Sequence, residues 1–227
     1  MRIIIITILA VLTASCATSQ GFDRGRLEQQ LATDKVEITD EEISRILKLK
    51  PQIKFPIRLG VYFKASPYSW SELEWNLDTV DDSWVLELKK AGIISDVVLV
   101  SPLTVAKNDL KNIRMGAARH GADVVLVVDS AYDIDRYNSV SAFLYLTIIG
   151  GYFAPGTHAD ALVLIKGAMW DVRNEYLYLT ASAEGEAKKI GPAFLLENSE
   201  SIRLAQEGAI ANFEKELVKR MNNLKGR

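Results

Sequence analysis

The sequence predicts an α/β (α+β) fold: a three-layer-like sheet with crossover helices in its first half, then a β-hairpin and a long C-terminal helix. Three observations carry this. The short β-rich runs IRLGVYF, DVVLVS and ADVVLVV alternate with segments whose apolar residues recur every three or four positions, the pattern of strands joined through helices. Two further apolar runs, 160–171 and 175–184, are separated only by the polar turn Val172-Arg173-Asn174, which reads as a hairpin. Last, Ile202, Ala205, Ala209, Ile210, Phe213, Leu217, Met221 and Leu224 keep helical spacing up to Gly226.

The chain opens with MRIIIITILAVLTASC: one positive residue, an apolar stretch from Ile3 to Leu12, then small residues before a cysteine. This is the layout of a secretory signal, and the apolar stretch is far short of the ~20 residues that span a bilayer as a helix. The segment Leu12-Thr13-Ala14-Ser15-Cys16 resembles the lipobox of bacterial lipoproteins, with Thr13 in place of the usual Leu. The resemblance implies cleavage before Cys16 and its acylation, palmitate included. Ala17, where an aspartate would retain the protein at the inner membrane, implies an outer-membrane lipoprotein facing the periplasm, with the inner membrane as the other destination. The expected organisation is a signal peptide at 1–15, a lipidated flexible tether at 16–38 and a single periplasmic domain at 39–227.

Each element of the domain has a local cause. Thr39 followed by Glu42 is a capping-box pattern, Ile43, Ile46 and Leu47 form a stripe, and Pro51 closes a short leading helix at 39–50. The run IRLGVYF is a buried first strand. From Val80 to Ala91, the spacing of Val80, Trp84, Val85 and Leu88 before Gly92 predicts an amphipathic helix with a glycine stop, and Trp84 falls on its core side. DVVLVS is a second strand. A helix over Asn108–His120, with Leu110, Ile113, Ala117 and Ala118 on one face, ends at Gly121 and leads into the third strand, ADVVLVV.

Taken together, the strand GADVVLVV, the run LYLTIIGGYFAPGT, the hairpin AMWDVRNEYLYLTASAEG and the terminal helix resemble the rhombotarget lipoproteins, a bacterial family of undefined role. More distantly, a helix ending in GAD before an apolar strand, and a hairpin with a W-D turn, are similar to the periplasmic domains of curli-secretion-channel and synthase-activator lipoproteins. The resemblance implies topology and a binding or assembly role rather than catalysis.

Composition narrows the chemistry. A net charge of −2 gives no basic excess for nucleic acid, and Cys16 is the only cysteine, so no internal disulfide or thiolate cluster can form. There is no GxSxG, HExxH or GxxxxGK[ST] motif, and no cofactor or enzymatic activity is expected. His120 and His158 lack a second histidine at ligand spacing and read as a helix end and a loop position. Asp129, Asp133 and Asp135 follow the third strand; they are weak candidates for a hard cation, and solvated turn carboxylates are the favoured reading.

Trp70 and Trp75, in the polar stretch SWSELEWNLD, are candidates for partner contact. Residues 140–155, VSAFLYLTIIGGYFAP, carry no charge. They read as core. The alternatives are an interface or a membrane-dipping segment, which makes Phe143, Tyr145, Tyr152 and Phe153 further candidates. The expected function is a membrane-tethered, non-enzymatic module of the cell envelope that binds a protein partner. The alternative is an oligomeric component of an export or assembly channel, built through 140–155.

Overall fold

A strand buried on both faces has to be apolar at nearly every position, and Ile57–Phe63 (β1) meets that demand: only Arg58 of its seven residues is exposed. A computed structural model describes residues 19–31, 39–64, 83–139, 142, 152, 153 and 155–226. In it β1 lies between Ile94–Leu99 (β2), parallel to it, and Val124–Asn138 (β3), also parallel. Thr157–Asp171 (β4) and Leu177–Gly191 (β5) complete the sheet as an antiparallel hairpin beside β3, in the order β2-β1-β3-β4-β5. The parallel first half and the hairpin of the second half agree with the sequence expectation.

The helices cover both faces. Arg24–Gln30 (α1) and Leu110–Arg119 (α4) lie on one face, and Ser83–Lys90 (α3) and Asn198–Lys225 (α5) on the other. Asp40–Leu47 (α2) stands apart at the end of the sheet. The main core lies under α5 and α3, where Phe213, Leu217 and Met221 meet Leu126, Val163, Ile165 and Met169, with Trp84 and Leu88 over β1. Trp84 is buried, as its spacing predicts. The approach of α5 to β5 depends on Gly185, whose place for a Cβ is only 2.1 Å from the Ala205 carbonyl oxygen and 2.3 Å from the Ala209 nitrogen. Among the described residues no helix is long and apolar enough to cross a membrane.

Two elements differ from expectation. The third strand does not stop at Val128. It runs ten residues further, to Asn138, paired with β4 throughout. Asp129, Asp133 and Asp135 are therefore strand residues and not solvated turn carboxylates, and Asp133 and Asp135 are each only 8% exposed. The carboxylates alternate with Ser130, Tyr132 and Ile134, which point to the α5 side, so the period-2 pattern continues through residues whose charge suggests a strand end. The second difference lies in the polar stretch expected to be a tether: residues 19–31 hold α1 and pack on the sheet through Leu27, which is fully buried against Ala131, Leu162 and Leu164.

Candidate functional site

The face of the sheet opposite α5 carries the odd residues of β3 and the even residues of β4. It therefore presents Asp129, Asp133 and Asp135 in a column beside Lys166, Leu162 and Asp160. Residues 19–31 lie along this column. Ser19 Oγ and the Gly21 amide donate to Asp135 Oδ2 at 2.5 and 2.9 Å, and the Asp23 amide donates to Asp133 Oδ2 at 2.9 Å. Arg26 pairs with Asp133, Glu28 pairs with Lys166, and Arg24 bridges Glu184 and Glu186 of β5 at 3.1 and 2.8 Å. Asp23 caps α1 by accepting from the Arg26 amide. The order of contacts, Ser19 at Asp135 and Glu28 at Lys166, which pairs Asp129, shows this segment running antiparallel to β3. Charged groups and one buried leucine together hold a stretch that is polar overall.

Between α1 and α4 the same face is open. A cavity of about 810 Å³ lies there and reaches round the β5 edge, with Val127, Ile113 and Trp170 among its walls and Lys64, Asp109, Asp129, Lys166 and Arg220 as its charges. Lys64 Nζ is 3.6 Å from Asp129. Burial pushes the Asp129 carboxyl up, against the opposing pull of Lys64 and the Ser130 amide. An apolar floor beside a partly desolvated ion pair is the make-up of a recess for an amphipathic group.

At the far end of the sheet the hairpin turn is held from two sides. Arg114 of α4 donates to the Asp171 and Val172 carbonyls at 3.1 and 2.9 Å and pairs with Glu175, which has φ 67°. Arg45 of α2 reaches the same Glu175 at 2.9 Å, and Asn174 donates to the Lys50 carbonyl. Tyr178 donates to Asp171 Oδ2 at 2.6 Å and accepts from the Gln52 and Ile53 amides. Burial, and then the bond to Asp171, push its hydroxyl up to about 12. The helix so fixed is unusual. The Thr39 cap forms as its sequence predicts, accepting from the Glu42 amide at 3.2 Å, yet the stripe of Ile43, Ile46 and Leu47 is 44, 52 and 80% exposed.

Of the expected site residues, Cys16, Trp70, Trp75, Phe143 and Tyr145 lie outside the described residues. Tyr152 and Phe153 are exposed, and the Tyr152 ring lies 5.0 Å from that of Phe194. His158 belongs to β4 rather than a loop and stacks on Tyr137 at 4.6 Å, while His120 is the last-turn cap of α4, near Thr104. Among the described residues no group of three or more His, Cys, Asp or Glu could hold a metal ion; the column of aspartates is instead engaged by Lys64, Arg26, Ser19 and backbone amides. Sequence reasoning missed Leu27, Arg24 and Trp170. For the first two a signal was present, since Asp23 precedes leucines at 27 and 31, the spacing of a capped helical turn.

No family model matches the chain, and no curated protein matches it. Among solved structures it is similar to a neuraminyllactose-binding hemagglutinin homolog from Helicobacter pylori, at 12% identity over 79% of this chain and 93% of that one, with TM-score 0.39. It is also similar to lipoprotein GNA1162 from Neisseria meningitidis (15% identity, 74% and 99% covered, TM-score 0.34) and to the PelC dodecamer from Paraburkholderia phytofirmans (13%, 75% and 93%, 0.30).

Proposed function

We propose that this chain is a lipoprotein, anchored through acylated Cys16 to the outer membrane and facing the periplasm, that works as a non-enzymatic module for binding a protein of the envelope. The anchor rests on the signal-like start and the lipobox resemblance ending at the only cysteine. The binding role rests chiefly on α2. A stripe of three large aliphatic residues left in water on a helix fixed by Arg45 and Asn174 is costly for a monomer and is the usual mark of a protein contact. The cavity beside Trp170 offers a second, amphipathic recess, and the segment with Trp70 and Trp75 follows in sequence from Lys64 at its rim. Tethering to one surface raises the local concentration of such a module around its partner.

Photo-crosslinking in cells tests this. A crosslinking amino acid at Ile46 or Leu47 is expected to capture one envelope protein, and capture at Ile46 is expected to fail when Leu47→Asp is added. Capture of another copy of this chain would instead support the channel or oligomer reading, and no capture above that of a probe at exposed Glu207 would overturn the assignment of α2.

A further inference from the structure

The end of the sheet opposite α2 carries a cluster of large apolar residues that are exposed among the described residues. Phe153, Phe194, Leu195 and Ile190 are 78, 65, 62 and 58% exposed, and Tyr152 lies against Phe194. They gather where β3 ends, β4 begins and β5 ends. The Ser139 amide donates to the Gly156 carbonyl there, and Arg136 donates to the Ala193 carbonyl. Aromatic and aliphatic residues clustered at one tip are the composition of a lipid-facing surface.

The amino-terminal segment identifies the occupant. Because residues 19–31 run antiparallel to β3, the chain enters from the Asn138 end, and Ser19 is fixed at Asp135, three strand residues (roughly 10 Å) short of that tip. Ser19 lies three residue steps from Cys16, with only Ala17 and Thr18 between, so the link reaches at most about 10 Å. A free tether over 16–38 would let the domain drift several tens of Å from the bilayer. The docked segment reduces the leash to that link. Resting on the assignment of lipid to Cys16, we infer that the tip formed by Phe153, Ile190, Phe194 and Leu195 lies against the bilayer, in its interfacial layer, with β3 to β5 standing off the membrane.

Electron paramagnetic resonance on the full lipidated protein in phospholipid liposomes tests this. Phe194→Cys, Leu195→Cys and, as a control at the other end, Leu47→Cys each receive a nitroxide; acylation leaves Cys16 with no free thiol, and the intact mass reports the acyl chains. All three positions are exposed, so the label is tolerated. The expected result is a several-fold higher ratio of oxygen to nickel-chelate accessibility at 194 and 195 than at 47. Equal ratios in lipidated protein would overturn the membrane-facing tip and leave the anchor standing. Protection of 194 and 195 from both reagents would overturn it in favour of a second copy seated there. Protein without acyl chains would overturn both the tip and the anchor.

Discussion

At the scale of single residues, several polar groups act as fasteners whose loss leaves buried partners unpaired. Tyr178 is the clearest: one hydroxyl serves Asp171, which is fully buried, and the Gln52 and Ile53 amides that bring the lead of β1 to the hairpin. Tyr178→Phe keeps the ring but strands these groups, and should lower unfolding stability by about 1–3 kcal/mol in denaturant titration. Because the folded hydroxyl is pushed from 10.0 up to about 12, its contribution is fully present below pH 10 and lost as pH rises toward 12; Tyr178→Phe should flatten that alkaline loss. Asp129 has the same sign in the carboxylate range. Its carboxyl is raised by burial, so ionisation works against the fold, and Asp129→Asn should be more favourable at pH 7 than below the usual carboxylate range near ~4. Thermal melts at the two pH values check this.

At the scale of elements, the segment from Ser19 to Leu31 is the one whose behaviour departs most from its composition. Leu27 supplies its only fully buried large side chain, worth about 1.5–3 kcal/mol, so Leu27→Asp should speed amide exchange over 19–31 on the order of 10- to 100-fold while β3 to β5 keep their protection. Unchanged exchange would mean that the charged contacts alone hold it. The same segment shows what was legible in the sequence. Strong periodicity revealed β1, β2, α3, α4, the hairpin and α5, and Thr39 announced its cap. Docking of α1 was not legible, because one leucine among polar residues gives no periodicity and its partners Ala131, Leu162 and Leu164 are more than a hundred residues away. The length of β3 was hidden for a related reason: Asp133 and Asp135 read as a strand end until the groups that satisfy them, Arg26, the Ser19 hydroxyl and the Gly21 and Asp23 amides, are brought over them. The exposed stripe of α2 was legible as a helix but not as a surface, since only tertiary packing decides whether an apolar face is covered.

At the scale of the whole molecule, the long strands separate two ends by roughly 50 Å, given fifteen residues in β4 at about 3.3 Å each. One end carries the start of the docked segment and the aromatic tip. The other carries α2 with its exposed stripe. This polarity suits the proposed module, with a lipid surface at one end and a protein at the other, and that proposal depends on Cys16. The intact mass of the protein extracted from cell envelopes is the most direct measurement. The account predicts a chain that begins at Cys16 and carries acyl chains, with Cys16→Ser giving unacylated protein that leaves the membrane fraction. A mature chain that begins elsewhere, or one with a free thiol at Cys16, would contradict it.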